Sequence, residues 1–394
     1  MSELYELPEG WEWKSLDEFT TIKSGKRVPK GYKLSEESTP YPYIRVTDFN
    51  NYGSVDTDDI RYISEDIYQK IKNYTITDKD IYISVAGTIG KTGIIPSELN
   101  GANLTENAVK IVFDNELYDK RFLLNFTNSI VFMEQVGLAT KAVAMPKLAI
   151  TRLKKVLIPL PPLQEQKRIV AKLDTLFEKI DKAIALHQKN MDEADIFMGS
   201  VLNDVFGELE EKYEKKQLKD IVDNYDGKRI PIKASDRETS NGMYPYYGAS
   251  GIIDYVNDYI FDGEYLLVSE DGANLTVRKY PIAFIAKGKF WVNNHAHIIS
   301  AKKGITTNEY LEFIFAFTDI SAYITGSAQP KLSQRKMNII EFVIPPLSIQ
   351  QKTVTYLDSI SQKVEKLKSV QKEKMQSLIA LKASILDQAF RGEL

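Results

Sequence analysis

Two stretches of this chain carry the periodicity of long amphipathic helices, and the rest alternates between short apolar runs and turn residues. Neither glycine nor proline occurs between Gln164 and Met198, or between Ser348 and Arg391. In the first stretch and its continuation, apolar residues fall at Val170, Leu173, Leu176, Ile180, Ile184, Met191, Ala194, Phe197, Val201 and Val205. In the second they fall at Val354, Leu357, Ile360, Val364, Leu367, Val370, Met375, Leu378, Leu381, Ile385 and Ala389. Spacings of three and four dominate, as a narrow helical stripe requires. A run of about 43 residues spans about 65 Å at 1.5 Å per residue. Such a stripe is buried most simply against another like it. The two helices are therefore expected to pair within the chain as a coiled coil, with a partner subunit as the alternative.

Both helices have the same punctuation. A short apolar strand, Val156-Leu157-Ile158 or Phe342-Val343-Ile344, runs into Pro161-Pro162-Leu163 or Pro345-Pro346-Leu347. Proline fixes φ and disfavours helix in the residue before it, so the strand stops there. Each helix ends alike, at Phe206-Gly207 and at Phe390-Arg391-Gly392, where glycine signals a C-cap. The charged stretch Glu208–Lys219 then reads as a linker.

These matches belong to one repeat. Residues 145–206 and 329–390 correspond at a constant offset of 184 without a gap. Pro146-Lys147-Leu148 answers Pro330-Lys331-Leu332, and Gln166, Val170, Leu173 and Asp174 answer Gln350, Val354, Leu357 and Asp358. Ahead of each copy the likeness is looser. Gly25-Lys26-Arg27 answers Gly227-Lys228-Arg229, Tyr41-Pro42-Tyr43 answers Tyr244-Pro245-Tyr246, and Ser84 and Gly87 answer Ser269 and Gly272. Asn107–Ile111 answers Asn294–Ile298. The offset drifts between 184 and 203 over these pieces. The expected fold class is α+β, with two mixed α/β domains (1–160 and 208–344) and two spacer helices (161–207 and 345–394).

Composition narrows the class without naming a function. The 394 residues are 43% hydrophobic and 27% charged, ordinary for a globular protein. The chain has no cysteine, which excludes disulfides and thiolate metal sites. Its N-terminus, Met1-Ser2-Glu3-Leu4-Tyr5, is unlike a signal peptide, and no apolar run approaches a membrane span, so a cytoplasmic protein is expected. The formal net charge of -3 gives no global sign of a polyanion partner. A nucleic-acid binder of this charge must cluster its cations on one face or borrow them from a partner.

No catalytic set stands out, which favours a binding protein over an enzyme. Ala86-Gly87-Thr88-Ile89-Gly90-Lys91-Thr92-Gly93 resembles a phosphate-binding loop, but Val85 stands where the first glycine belongs, and Ile94-Ile95-Pro96 follows in place of a helix. A tight turn presenting Thr88, Lys91 and Thr92 to a phosphate backbone is the better reading, against a plain hairpin turn. His295-Ala296-His297 places two imidazoles on one strand face without an obvious third metal ligand. Lys23, Lys26 and Arg27 open the first module and Lys228 and Arg229 the second, where they could neutralise phosphates. Residue types able to read base edges occur at Arg45, Thr47, Asn103, Thr105 and Asn107, and at Tyr247, Ser250, Asn274, Arg278 and Asn294.

Taken in order, the motifs resemble the DNA-specificity subunit of type I restriction–modification systems. They are Leu7-Pro8-Glu9-Gly10-Trp11-Glu12-Trp13, Gly326-Ser327-Ala328-Gln329-Pro330-Lys331-Leu332-Ser333, the doubled Pro-Pro-Leu with its following glutamines, and Ser384–Leu394. The resemblance covers nearly the whole chain. It implies two target-recognition domains, each reading half of a split site on double-stranded DNA. Two long antiparallel helices would separate them, related by a pseudo-two-fold. Gln329 and Lys331 join the candidate contacts by this resemblance. It also implies two methyltransferase subunits carrying S-adenosylmethionine, and motor-nuclease subunits using ATP and Mg2+. No cofactor or metal would bind this chain, and no catalysis would be its own. The first copy has Thr140–Pro146 where the second has Thr325–Pro330, so Gln329 has no counterpart there.

Overall fold

The computed structural model describes residues 5–50, 52–113, 118–137, 147–233, 237, 242–326 and 328–394. Met1–Leu4, the Thr140–Pro146 segment and Ser327 lie outside the described residues. Contacts divide the chain into two units, residues 1–186 with 374–394, and residues 187–373.

In the first unit, β1 (Glu12–Ser15) pairs antiparallel with β9 (Leu157–Leu160), the strand that stops at Pro161. A four-stranded antiparallel sheet runs in the order β2 (Thr20–Ser24), β8 (Ala108–Phe113), β5 (Ile81–Ser84), β6 (Thr92–Gly93). β5 is buried at every residue, as its Ile-Tyr-Ile-Ser sequence permits. A second sheet has the order β4 (Arg61–Tyr62), β3 (Pro42–Ile44), β7 (Asn103–Leu104), with β3 and β7 parallel. The main core joins Ile81, Ile83, Val109 and Ile111 to Phe122, Leu123 and Phe126 of a helix at Lys120–Thr127.

The second unit repeats this plan as one sheet. β10 (Lys215–Gln217) pairs with β17 (Glu341–Val343), as β1 does with β9. The six-stranded order is β11 (Val222–Asn224), β16 (Ala296–Ala301), β14 (Phe261–Ser269), β15 (Ala283–Val292), β12 (Tyr244–Gly248), β13 (Gly251–Val256). Only β12 and β15 run parallel, as β3 and β7 do. The ten-residue β15 does the work of both β6 and β7. In the first unit Pro96 and a 3-10 turn at Ser97–Leu99 interrupt the chain between those strands, so the sheet splits.

The ladders also correct a register. Ser84 lies opposite Ala108, and Ser269 opposite Ala296, so Ala108 answers Ala296. Asn107 therefore answers His295, one residue beyond the Asn294 that sequence comparison chose. A slip of one exchanges the faces of a strand. The corrected register matches buried Val109 with buried His297.

The long helices extend over Leu163–Lys212 and Leu347–Arg391. Each is fastened at its start by a buried glutamine. Gln166 Nε2 donates to Pro161 O at 2.8 Å and its Oε1 accepts from Asp119 N at 2.8 Å. Gln350 Nε2 donates to Pro345 O at 2.8 Å and its Oε1 accepts from Thr306 Oγ1 at 2.9 Å. The helices pair inside each unit, as the stripe predicts, and they run antiparallel. Asp181 meets Lys382 at 2.7 Å in the first unit, and Asp195 meets Lys368 at 2.7 Å in the second. His187 Nδ1 lies 2.5 Å from Gln371 Oε1, and these two positions are 184 apart. A residue that meets its own repeat-mate lies on a local two-fold of the helix pair.

The two terminal glycines differ. Gly392 has φ +75° and is a true cap, with Glu393 N donating to Gln388 O at 3.0 Å. Gly207 lies inside its helix, which continues to Lys212 through what sequence suggested was linker. Buried Leu209 and the Glu208–Lys212 ion pair extend that turn, against a helix cost for glycine of about 1 kcal/mol. Aromatic side chains close each helix end. Phe390 meets Phe122 and Phe126 edge-on at 5.1 and 5.2 Å in the first unit. Phe206 meets Tyr310 and Phe317 at 5.7 and 5.2 Å in the second. Phe390→Ala and Phe206→Ala should each cost about 3–5 kcal/mol in the unit that holds the ring. Hydrogen exchange resolved by peptide should show protection lost in β2, β8 and β5 for Phe390→Ala, and in β11, β16 and β14 for Phe206→Ala.

Candidate nucleic-acid interface

The C-terminal end of β5 and the C-terminal end of β14 are built alike. Val85 N donates to Asn107 O at 2.7 Å, and Glu270 N donates to His295 O at 2.9 Å. Leu148 N donates to Val85 O, and Leu332 N to Glu270 O, both at 2.8 Å. At each end a glycine with positive φ follows, Gly87 (+76°) and Gly272 (+105°), which gives the chain a turn that other residues resist. Several loops converge on each of these points, and most of the predicted contact residues lie on them.

In the first unit, Lys26, Arg27, Thr88 and Asn107 gather at the end of β5. Gly25 allows this approach, since a Cβ there would lie 2.0 Å from Thr105 O. Lys23, Lys26 and Arg27 are exposed, and so are Lys30 and Lys33, two cations the sequence pattern did not single out. These five occur within residues 23–33 without an acid among them. Lys26 Nζ lies 5.6 Å from the Tyr74 ring centre, and Arg27 pairs with Glu106. Burial pushes the Glu106 carboxyl up, but the Arg27 guanidinium and the hydroxyl of Thr105 hold it below the usual range. Thr88 and Thr47 are exposed. Tyr52, also unforeseen, stands 95% exposed on a turn braced by Asn50 Oδ1, which accepts from Tyr52 N and Ser54 N.

Other predicted contacts of this unit are taken up internally. Lys91 Nζ donates to Phe49 O at 2.7 Å, and buried Thr92 accepts from Thr127 Oγ1 at 2.9 Å. The Gly-Lys-Thr segment is thus a hairpin turn between β5 and β6 that presents Thr88 alone of its three polar side chains. Arg45 binds Asp48 at 2.6 Å and Asp59 at 3.1 Å. Asn103 is buried and donates to Ile71 O at 2.8 Å, and Thr105 is buried beside Glu106.

In the second unit, Lys228, Arg229, Ser250, Asn294, Gln329 and Lys331 lie on the segments that meet at the end of β14. Ser269 Oγ donates to Ala249 O at 2.5 Å, and Gly272 N to Pro330 O at 3.0 Å. Lys228, Ser250, Asn294, Gln329 and Lys331 are exposed. Arg229 is largely buried and reaches Glu270 at 2.6 Å and Ala296 O at 2.8 Å. The two imidazoles do not act together. His295 takes Asp271 at 2.9 Å and fully buried His297 takes Asp226 at 2.6 Å. Burial pushes the Asp226 carboxyl up, but the hydrogen bond and charge of His297, the Ile298 N–H and Arg229 bring it below its ordinary value.

Three further candidates of this unit have structural partners. Half-buried Tyr247 packs on Phe284 and Phe290 at 5.9 and 5.5 Å, and that burial raises its phenol. Asn274 closes a loop by bonding Tyr280 N and O at 2.9 and 3.0 Å. Arg278 has φ +49° and donates to Phe315 O, Ala316 O and Thr318 O, the last at 2.6 Å. It therefore satisfies the carboxyl end of the helix at Asn308–Phe317. Burial lowers its guanidinium below the ordinary value.

The sequence matches the family model described as "Type I restriction modification DNA specificity domain" over residues 8–190 and 210–374. It is 36% identical over 148 residues to a putative type I restriction enzyme specificity subunit, S.HindORF215P, of Haemophilus influenzae, covering 38% of this chain and 37% of that protein. It is 24% identical over 374 residues to the type I restriction enzyme EcoprrI specificity subunit of Escherichia coli, covering 91% and 90%. Among solved structures, a chain from a type I R-M system superposes with a TM-score of 0.75 at 20% identity, over 99% of this chain and 100% of that one. The HsdS subunit of Thermoanaerobacter tengcongensis gives 0.51 at 21% identity, over 100% and 99%. These likenesses to solved structures concern the fold.

The structure separates cations that are free to meet a polyanion from those already spent. Arg278→Ala should cost about 2–3 kcal/mol of stability, as loss of charged hydrogen bonds to helix carbonyls does. Denaturant titration checks the loss, and the salt slope of DNA binding should stay unchanged. Lys26→Ala should leave stability within about 0.5 kcal/mol and lower the slope of log K against log salt by about 1.

Proposed function

Since the chain belongs to the type I restriction–modification DNA specificity family, we propose that it reads an asymmetric, two-part site on double-stranded DNA and positions methyltransferase subunits there. Residues 1–160 and 208–344 would be the two target-recognition domains, and residues 161–207 and 345–394 the spacer helices between them. The doubled loop cluster carries this proposal. The ends of β5 and β14 share one hydrogen-bond frame yet display different side chains. One frame with two sets of contacts suits two half-sites of different sequence. The repeat of residues 145–206 at 329–390 supports two half-site readers, because duplex DNA has dyads perpendicular to its axis.

Exposed cations on residues 23–33, with Lys228, would supply phosphate contacts that fix register. Thr88, Asn107, Ser250, Asn294 and Gln329 would then present hydroxyls and amides to base edges. The long helices would set the distance between half-sites and also hold the partners. Phe197 and Val370 in the second unit are exposed, and so are their repeat-mates Leu381 and Leu186 in the first. Two equivalent apolar patches suit two copies of one partner, here the methyltransferase subunit. That subunit would supply S-adenosylmethionine and the methyl-transfer chemistry. A motor-nuclease subunit would supply ATP- and Mg2+-dependent cleavage. The complex would act in the cytoplasm.

Two experiments test this function. Single-molecule methylome sequencing of cells expressing the chain with its methyltransferase should show one bipartite, asymmetric motif. Removing about one heptad from each long helix should shorten the gap and leave both half-site sequences as they were. Altered half-site bases at the original gap would contradict the spacer role.

A further inference from the structure

The second unit holds an ionic cluster whose Glu270 and His297 stand where the first unit has valines. Asp226, Arg229, Glu270, His297 and Lys331 come from four segments and meet beneath the chain that carries Gln329. His297 is fully buried. Its Nδ1 lies 2.6 Å from Asp226 Oδ2, and its Nε2 lies 2.8 Å from Leu332 O. Both neighbours are acceptors, so the ring donates on both sides only when both nitrogens carry protons. Asp226 Oδ1 accepts from Ile298 N at 2.8 Å, which favours the carboxylate.

Glu270 sits at the centre of the charge. One oxygen accepts from Arg229 at 2.6 Å and lies 3.7 Å from His297 Nδ1. The other faces Lys331 Nζ at 3.3 Å. His295 and Asp271 flank the cluster as a pair of their own, 2.9 Å apart. The Pro330–Leu332 backbone is fastened to the same groups, through Gly272 N to Pro330 O and Leu332 N to Glu270 O. His297 and Glu270 therefore grip both the backbone and the side chain of the strand that displays Gln329 and Lys331.

The first unit shows what the cluster is not needed for. The equivalent backbone bond runs from Leu148 N to Val85 O at 2.8 Å. Val85 occupies the place of Glu270 and Val109 that of His297 by the strand registers and their flanking bonds, while Arg27 and Lys147 answer the cations Arg229 and Lys331. Backbone hydrogen bonds and apolar burial hold that frame without charge at these two places, since Val85 and Val109 are each 1% exposed. Closing the fold therefore does not require charge here. Charge aims cations, and both largely buried Arg229 and half-exposed Lys331 end on Glu270 below a candidate DNA surface.

We infer that Glu270, with His297 and Asp226, positions Arg229 and Lys331 so that base discrimination in the second half-site, and only there, depends on this cluster. The inference rests on the proposed reading of DNA by the second unit. An acid placed beside two cations at such a surface also restrains them from binding phosphates indiscriminately. Its removal should lower specificity while raising non-specific affinity, whereas a collapsed module would lose both.

The test uses the full-length chain assembled with its methyltransferase subunits. Binding is measured on duplexes carrying the cognate site, single-base replacements in either half, or unrelated sequence, across a salt series. For Glu270→Gln, discrimination against second-half replacements should fall at least tenfold. Affinity for unrelated DNA should rise, with its salt slope steeper by about 1. First-half discrimination should match that of the wild type, which also reports that the complex is intact. Glu270→Asp should restore part of the discrimination. If Glu270→Gln does not fold, Lys331→Gln serves, since that side chain is half exposed. It should lose second-half discrimination with a shallower slope. Equal loss in both halves, unchanged second-half discrimination, or lower affinity for unrelated DNA with Glu270→Gln would overturn the inference. A wild-type complex without sequence preference would overturn the proposed function itself, and this inference with it.

Discussion

The structure depends on the burial of two apolar stripes that are each too long for any single domain to cover. A helix of 50 residues has far more stripe than one module can bury. Each helix therefore spends its start in one core, its middle on the other helix, and its end in the other core. Ile169, Val170 and Leu173 belong to the same core as Leu386, Ala389 and Phe390. Val354 and Leu357 belong with Val201, Leu202 and Phe206. Inside each unit the helices run antiparallel, so the start of one stripe and the end of the other share a core. The glutamines at the helix starts fix where each stripe begins, because a shift along the axis would strand buried amide groups.

Charge is distributed by the same economy of burial. A formal net charge of -3 looks ill-suited to a polyanion partner. Many of the acids are consumed locally, as Asp48 is by Arg45 and Asp80 is by Lys110 at 3.0 Å. What stays exposed at the ends of β5 and β14 is biased toward cations and small polar groups. At Glu270 an acid remains among cations, and a cation held by an acid keeps a direction that a free one lacks.

The architecture was legible in the sequence because periodicity and proline punctuation are local. The apolar spacing, the Pro-Pro-Leu stops and the constant offset all survive folding unchanged. The sites were less legible because their partners are distant. Arg45 and Arg278 have the chemistry of base-reading residues and Arg229 that of a phosphate contact, yet each is bound to groups that only the fold brings near. Arg278 caps a helix that begins thirty residues later in the chain. The mixed domains also hid their register, since insertions move the offset while the ladders set the pairing.

Sequence by itself determined the two halves, the paired helices and the two places where a loose likeness would be found. It also carried the resemblance to the specificity family. Tertiary structure decided which polar side chains remain available. A cation is available only if its side chain stays open to solvent, and that is set by packing. Gly207 and Gly392 make the same point for the backbone. The two glycines look alike in the chain, yet Gly392 caps its helix at φ +75° while Gly207 lies inside a helix that runs on past buried Leu209.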